Sequence, residues 1–200
     1  MSEEVMDYVN LLRCPVLNFE KVVCRNDLDI GLYEKKFLMW DWVVENEVLK
    51  RDPSAYALLE DPTIYAYQFF KIKGERLKAF PYQDLLLNDK HPFIILTAAN
   101  QIGKSQALDI LAAFHLLTGR NVNIAIVSAN LEQTKFQMSR IKELLDSSPF
   151  VWREETKESD SIRLITHEEN GIKNRLICAP ASAGVLGYDL AYLFLDEFEF

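Results

Sequence analysis

Residues 93–119 read FIILTAANQIGKSQALDILAAFHLLTG, and the order of patterns in this stretch indicates the fold class. It opens with FIILTA at positions 93–98, an apolar, β-branched run that is typical of a buried parallel strand. Residues 105–117 are apolar on most sides and stop before Gly119, so they predict a helix that ends at a glycine. A strand that leads through a short loop into a helix is the repeating unit of an α/β fold.

The loop between that strand and that helix, residues 98–105, has the sequence AANQIGKS. It matches the phosphate-loop pattern G-x-x-x-x-G-K-[ST] at Gly103, Lys104 and Ser105, with Ala98 at the position of the first glycine. Backbone N–H groups at a helix start attract phosphate, and the helix dipole adds to that attraction. The motif predicts that Gly103 allows close backbone approach, that Lys104 contacts the β- and γ-phosphates, and that Ser105 binds Mg²⁺.

The chain beyond this motif continues to alternate between strand and helix patterns. Asn170-Gly171 is a tight-turn signal, so the two apolar runs that flank it predict a β-hairpin. The predicted strands cover residues 123–129, 161–166, 173–179 and 190–196, and residues 131–145 predict a second helix. We expect a mostly parallel α/β sheet with flanking helices.

The patterns before His91 are helical. Residues 33–50 form a long aromatic run without glycine or proline, which predicts one continuous helix. Asp52-Pro53 and Asp61-Pro62 each place a good N-cap residue before a proline, and proline is favoured at the first helical position. We therefore expect a helical N-terminal region over residues 1–78 and an α/β core over residues 79–200.

The composition is that of an ordinary globular chain. Its 200 residues carry a formal net charge of −8, which argues against broad wrapping of nucleic acid because phosphate binding requires many basic residues. The three cysteines form no CxxC pair, so a zinc site is not expected and a reducing compartment is favoured. No apolar stretch approaches the roughly 18 residues that a membrane-spanning helix needs, and we expect no membrane association.

Two acidic residues follow the last predicted strand. The sequence LAYLFLDE delivers Asp196 and Glu197 to the carboxyl end of that strand, the edge at which α/β sheets bind ligands. In a phosphate-loop ATPase an aspartate here helps to hold Mg²⁺, and an adjacent acid polarises the attacking water. The adjacent pair favours the ASCE-type P-loop NTPases, which insert a strand between the phosphate loop and the aspartate, over small GTPase-like folds.

With these residues in place, the chain resembles the ATPase domain of a viral, bacteriophage-type large terminase subunit, the motor that packages DNA into a preformed capsid. The resemblance covers about residues 53–200. It rests on AFPYQ (79–83), ANQIGKS (99–105), IAIVSANLEQTKFQMSRIKELL (124–145) and NRLICAPASAGVLGYDLAYLFLDEFEF (174–200).

The resemblance implies ATP hydrolysis with Mg²⁺. Tyr82 and Gln83 correspond to the family's adenine-recognition segment, and an amide such as that of Gln83 can both donate to and accept from the adenine edge. Lys104 and Glu197 are the expected catalytic residues, and Ser105 and Asp196 the expected Mg²⁺ ligands. The nucleotide is expected to contact Tyr82, Gln83, Asn100, Gln101, Ile102, Gly103, Lys104, Ser105 and Gln106.

The same resemblance implies a set of partners and a location. It implies translocation of viral double-stranded DNA into a procapsid by a homo-oligomeric ring that works with a portal protein and a small terminase subunit. The expected location is the host cytoplasm, transiently at the procapsid portal.

The sequence departs from the family pattern in three ways. Terminases usually carry an arginine in the phosphate loop, where this chain has Asn100, and an Arg-Gly pair before the acidic residues, where it has Leu186-Gly187. The remaining candidates for an arginine finger are Arg140, Arg163 and Arg175. The chain also ends at Phe200, before the coupling motif and nuclease domain of the family, so an incomplete sheet is expected at the C-terminal end.

Two alternatives remain open from sequence. The phosphate loop and the acidic pair are common to helicase-like ATPases that act on nucleic acid. The departures from the family also fit a fragment that binds nucleotide without turnover.

Overall fold

A computed structural model of the chain describes residues 30–96, 102–155, 162–181 and 188–196. The chain divides into two compact units. The first contains Met1–Gln68 and Arg76–Ala99, and the second contains Phe69–Glu75 and Asn100–Phe200.

The first unit is helical in its described part. It contains α1 (Ile30–Glu45), α2 (Val48–Arg51), a 3-10 helix (Pro53–Glu60), α3 (Pro62–Phe69, whose last residue belongs to the second unit) and α4 (Pro81–Leu87). The single helix predicted over residues 33–50 is wrong in one respect, because a turn at Asn46 and Glu47 separates α1 from α2. Glu47 has a φ of 50°, a left-handed conformation that ends a right-handed helix.

Both predicted aspartate caps are confirmed. The Asp52 carboxylate accepts a hydrogen bond from the Ser54 backbone N–H at 3.0 Å, at the start of the 3-10 helix. The Asp61 carboxylate accepts one from the Thr63 N–H at 2.8 Å, at the start of α3. Each side chain satisfies an N–H group that the helix itself leaves without a partner, which explains why these helices begin at the Asp-Pro pairs.

Aromatic side chains form the core of the first unit. Trp40 is fully buried, and Phe37 makes edge-to-face contacts with Tyr33 and Tyr67 at centroid distances of 5.1 Å and 4.8 Å. The Tyr33 hydroxyl donates to the Ala79 carbonyl, which ties α1 to the segment before α4. These aromatic residues of the N-terminal region are therefore packed in a core.

The second unit is a mixed α/β structure. A hairpin of two short strands, β1 (Lys71–Ile72) and β2 (Glu75–Arg76), forms a small sheet of its own. The main elements then follow in the order α5 (Lys104–Thr118), β3 (Asn123–Ser128), α6 (Leu131–Asp146), β4 (Arg153–Glu155), β5 (Arg163–Glu169), β6 (Ile172–Pro180) and β7 (Tyr192–Asp196).

The main sheet has five strands in the order β4-β5-β6-β3-β7. Strand β3 is central and pairs in parallel with β6 on one side and with β7 on the other. The pairs β4-β5 and β5-β6 are antiparallel, so the described sheet is evenly mixed, with two parallel and two antiparallel pairs. Asn170 and Gly171 both have positive φ, 51° and 78°, which is the backbone of the tight hairpin turn expected between β5 and β6.

The strand predicted over residues 93–98 is wrong for the residues that the structure describes. Residues 93–96 are irregular, and the side chain of Phe93 is 87% exposed. An apolar run becomes a strand only when a neighbouring strand accepts its hydrogen bonds, and none of the described strands pairs with residues 93–96. Thr97 and Ala98 lie outside the described residues.

Strand β7 is present as predicted, but it is less buried than its sequence suggests. Leu193 and Leu195 are 52% and 46% exposed. Among the described strands β7 pairs with β3 alone, so it lies at the edge of the sheet.

Asn174 on β6 anchors the C-terminal end of α5. Its Nδ2 donates to the carbonyls of Leu116 and Gly119 at 2.9 Å and 2.8 Å, and its Oδ1 accepts from the Val122 N–H at 3.1 Å. Gly119 is needed here for space, because an added Cβ would lie 2.4 Å from a methyl group of Val122 and 2.6 Å from the His115 carbonyl. The helix therefore ends at Gly119, as predicted, through crowding and a buried amide.

None of the helices within the described ranges is both long enough and apolar enough to cross a membrane.

Candidate functional site

A cleft of about 130 Å³ lies where strands β3 and β7 end. The two strands are parallel and in register, so Ser128 at the end of β3 lies beside Asp196 at the end of β7. Helix α6 contributes one wall, and the first turn of α5 contributes another. The described lining residues are Ser105, Ser128, Gln133, Phe136, Gln137, Arg140 and Asp196.

The helix at the GKS motif begins at Lys104, one residue before the predicted start at Ser105. Gly103 is the N-cap residue and has φ 93° and ψ 27°, a left-handed conformation that glycine adopts without steric cost. Its carbonyl accepts the first helical hydrogen bond, from the Ala107 N–H at 3.2 Å. The helix then begins at Lys104, and Ser105 in its first turn reaches the cleft.

Asp196 is contacted by a buried glutamine of α6. The Gln137 Nε2 donates to the Asp196 Oδ2 over a long distance of 3.5 Å. The opposite end of the same amide is fixed, because the Ser128 hydroxyl donates to the Gln137 Oε1 at 2.8 Å. Ser128 and Gln137 thus orient the carboxylate at the end of β7.

A buried ion pair joins α5 to α6 at the side of the cleft. The Arg140 Nε donates to the Asp109 Oδ2 at 2.6 Å, and the Asp109 side chain is only 2% exposed. Burial raises the pKa of Asp109 to about 6, although the hydrogen bond and charge of Arg140 act in the opposite direction. A hydrogen bond with Gln137 also lowers this pKa, and the negative charge of Asp196 raises it slightly.

Two atoms of this ion pair have no hydrogen-bond partner within the described part of the chain. They are the Asp109 Oδ1 and the Arg140 Nη2, and both are buried. The Arg140 guanidinium also lies over the Phe136 ring, with its central carbon 4.9 Å from the ring centroid. Buried polar atoms in proteins are nearly always hydrogen-bonded, so an unpaired donor and acceptor beside a cleft call for a physical explanation.

The structure brings together some of the predicted site residues. Ser105 and Asp196 line the same cleft. Ile102, Lys104 and Gln106 are half-buried at the start of α5 and are not among the described lining residues. The predicted sites Asn100, Gln101 and Glu197 lie outside the described residues.

The predicted adenine segment belongs to the first unit. Gln83 is fully buried, and its Oε1 accepts a hydrogen bond from the Phe80 N–H at 2.8 Å, at the start of α4. The Tyr82 ring is stacked on the 56% exposed Phe80 ring, with centroids 6.1 Å apart. The Tyr82 hydroxyl is buried without a partner among the described residues, and burial raises its pKa. Adenine contact by Tyr82 and Gln83 stays a prediction.

The arginine candidates are placed differently. Arg140 lines the cleft. Arg175 lies in β6 opposite Asn123 of β3, and the side chain of Arg163 lies outside the described part.

The sequence patterns do not predict Asp109, Ser128 or Gln137 as residues of the site. A signal for Asp109 was available, because it is the one acidic residue in the otherwise apolar helix KSQALDILAAFHLLT. Ser128 carried a weaker signal as a polar residue that ends an apolar strand. Gln137 carried none, since a glutamine on an amphipathic helix is ordinarily exposed.

Comparison with known proteins gave partial structural similarity. No protein-family model matches the chain, and no curated protein matches it in sequence. Among solved structures, the large terminase ATPase domain of Thermus phage P74-26 is similar, with 17% identity and a TM-score of 0.38. An arginine-to-alanine mutant of that domain is similar with 18% identity and the same TM-score. Each similarity covers 49% of this chain and 45% of the solved chain, so the chain matches less than half of that structure's length.

Proposed function

We propose that this chain is a P-loop ATPase of the large-terminase type, which hydrolyses ATP with Mg²⁺ to translocate viral double-stranded DNA into a procapsid. One observation carries the proposal. Ser105, from the GKS sequence at the start of α5, and Asp196, at the end of β7, line one cleft although they are 91 residues apart in sequence.

The donor set of this cleft fits a magnesium ion. A serine hydroxyl and a carboxylate are hard oxygen ligands, which Mg²⁺ prefers. No group of three or more His, Cys, Asp or Glu side chains within the described ranges could hold a metal. That absence suits Mg²⁺ with a nucleotide, because this ion is usually bound through one or two protein oxygens and the substrate phosphates.

The size of the cleft fits a phosphate group with its ion. Its 130 Å³ is below the roughly 300–1,000 Å³ of pockets that enclose a drug-sized ligand. In this proposal the β- and γ-phosphates lie at the α5 N-terminus, where Gly103 permits close backbone approach and Lys104 neutralises charge. Bound Mg²⁺ would neutralise charge that develops on the phosphates, and Ser105 and Asp196 would hold it.

The remaining roles follow from the position of Glu197 and from the sequence resemblance. Glu197 polarises the attacking water next to Asp196. Tyr82 and Gln83 contact adenine, and the loop residues Asn100–Gln106 surround the phosphates. The chain works as part of a homo-oligomeric ring with a portal protein and a small terminase subunit, in the host cytoplasm at the procapsid. Its net charge of −8 confines DNA contact to a local surface shared around that ring.

The phosphate-loop assignment is tested by measuring ATP affinity calorimetrically for the wild-type chain and Lys104→Ala, in the presence of Mg²⁺. We expect binding of ATP to the variant to be lost, because the proposed ammonium contact to the β- and γ-phosphates is removed. Lys135→Ala on the exposed face of α6 is the matched control and should bind like the wild type. Equal affinity of all three proteins would refute the proposal.

The role of Glu197 is tested by turnover. Glu197→Gln should retain ATP binding and lose hydrolysis in a steady-state phosphate-release assay, run on the chain alone and with portal protein and DNA. Wild-type hydrolysis by this variant would show that Glu197 does not polarise the water. Turnover that does not respond to portal protein and DNA would contradict the packaging role and favour another ATPase class.

A further inference from the structure

Arg140 supplies the positive charge of the cleft. Among the seven described residues that line it, Arg140 is the cation and Asp196 the anion. A phosphate group that enters beside Asp196 meets a negative charge, so it needs a nearby cation to offset that repulsion. Arg140 is on α6, whereas the phosphate-loop motif is at the start of α5.

The ion pair between Arg140 and Asp109 uses only part of the hydrogen-bonding capacity of the guanidinium. An arginine that serves only to link two helices can form two parallel hydrogen bonds with both oxygens of a carboxylate. Here Arg140 donates one hydrogen bond to Asp109, from Nε to Oδ2 at 2.6 Å. The Arg140 Nη2 is buried, and no hydrogen bond satisfies it within the part of the chain that the structure describes.

Asp109 and Phe136 together fix the guanidinium. Asp109 holds its Nε from α5, and the Phe136 ring lies against its face at 4.9 Å. A guanidinium has five N–H donors in a rigid plane, so fixing Nε and the face also fixes the direction of the remaining donors. A preorganised donor next to a cleft binds an oxyanion with little further loss of side-chain freedom.

We propose that Arg140 binds an oxygen of the terminal phosphate of a Mg²⁺-nucleotide from within the same chain, and that Asp109 is the positioning residue for it. This inference rests on the proposed function, since it names a phosphate contact of the same site. The chemistry favours a phosphate over a carboxylate ligand, because a phosphate oxygen can contact Arg140 while its other oxygens share a metal ion with Ser105 and Asp196.

The test compares the affinity for a non-hydrolysable ATP analogue with that for ADP, both with Mg²⁺, in the full 200-residue chain. A charge-assisted hydrogen bond to the terminal phosphate is worth about 10- to 100-fold in affinity. We expect Arg140→Gln to lose that factor for the ATP analogue and to keep ADP affinity near that of the wild type. Arg140→Lys should recover part of the loss, because it keeps the charge but not the planar fork.

Lys135→Gln is the matched control, because it removes one positive charge from the exposed face of the same helix. It should leave both affinities unchanged. The inference is overturned if Arg140→Gln keeps the wild-type ratio of the two affinities while Lys104→Ala still abolishes binding. If the wild-type chain binds neither nucleotide, the proposed function fails and this inference fails with it.

The positioning role of Asp109 is tested by Asp109→Asn in the same assay. If Asp109 acts through Arg140, the loss of affinity for the ATP analogue in the double variant with Arg140→Gln should equal that of Arg140→Gln alone. A purely structural Asp109 would lower thermal stability and leave the ratio of the two affinities unchanged. Additive losses in the double variant would overturn the positioning role.

Discussion

The two units of the chain each bury an ion pair, and the two pairs differ in how completely they are hydrogen-bonded. In the helical unit, Lys36 lies between Asp61 and Asp84, with its Nζ 2.8 Å from one carboxylate and 2.6 Å from the other. In the α/β unit, the Arg140 Nε donates one hydrogen bond to Asp109. The first network is closed within itself, whereas the second leaves a donor and an acceptor unpaired beside a cleft.

Neutral side chains complete the Lys36 network. The Thr63 hydroxyl donates to the Asp84 Oδ1 at 2.7 Å, and the Asn88 Nδ2 donates to both Asp61 and Asp84 at 3.1 Å. Burial alone would lower the pKa of Lys36, but attraction by Asp61 and Asp84 outweighs it and raises the pKa. Lys36 therefore stays charged and satisfied, as a structural ion pair must.

The comparison teaches that burial of charge does not by itself indicate a binding site. Both networks are buried and both shift a pKa. The useful distinction is whether the polar atoms find partners inside the protein, because an unpaired buried atom costs free energy that a ligand can recover. By this measure the Arg140 pair is the candidate for ligand binding, and the Lys36 network is structural.

The largest expected effect on the free energy of unfolding comes from removing the cation of the Lys36 network. Lys36→Met leaves two buried carboxylates without their cation, and breaking a buried pair in this way costs about 3–5 kcal/mol in the free energy of unfolding. Denaturant titration followed by fluorescence of the buried Trp40 measures it. Lys35→Met, at the exposed neighbouring position, is the control and should change stability little. A loss below about 1 kcal/mol for Lys36→Met would contradict a structural role.

A second test uses the raised pKa of Asp109, which is about 6 in the folded chain against an ordinary value of 3.8. The folded state then holds the proton more tightly than the unfolded state. The contribution of Asp109 to the free energy of unfolding is therefore greatest below pH 4 and is lost as pH rises to about 6, by about 3 kcal/mol in total.

Asp109→Asn removes the titrating carboxyl group. The unfolding free energy of the variant should therefore lack the pH-dependent contribution of Asp109. Subtracting the variant's curve of unfolding free energy against pH from that of the wild type gives the contribution of Asp109, because Arg140 and Asp196 are present in both proteins. Parallel curves between pH 4 and 6 would show that the pKa of Asp109 is not raised.

The smallest expected effect concerns one neutral member of the closed network. Thr63→Val keeps the shape of the side chain and removes the hydroxyl that donates to Asp84, at a cost of about 1–2 kcal/mol. Thr63→Ser keeps the hydroxyl and should retain most of the stability. If the Thr63→Val and Thr63→Ser variants are equally stable, the hydrogen bond contributes nothing measurable to the free energy of unfolding.

The sequence correctly predicts the features that depend on neighbouring residues alone. The Asp52 and Asp61 caps and the Asn170-Gly171 turn each depend on neighbouring residues, so a short stretch contains all the information they need. The start of α5 at Gly103 and Lys104 is of the same kind. The strand predicted over residues 93–98 failed because strand formation depends on a partner strand, which the local run of apolar residues does not specify.

The candidate site also combines residues that the sequence motifs indicate with contacts that they do not. Ser105 and Asp196 carry motif signals, and they lie in one cleft. The pairing of Arg140 with Asp109 joins residues 31 apart on two helices, and the contact of Gln137 with Asp196 spans 59 residues. Such contacts depend on how helices pack on the sheet, which no spacing rule within either helix encodes.

Asn174 holds the end of helix α5 that is farther from the cleft. The helix has 15 residues and is about 22 Å long. The Asn174 Nδ2 ties this end to β6 through the carbonyls of Leu116 and Gly119, and the Oδ1 holds the following loop through the Val122 N–H. Sliding the helix along its axis would break the two bonds to its end, so they resist that movement. The buried amide of Asn174 thus sets the axial position of the helix whose first turn carries the phosphate-loop motif.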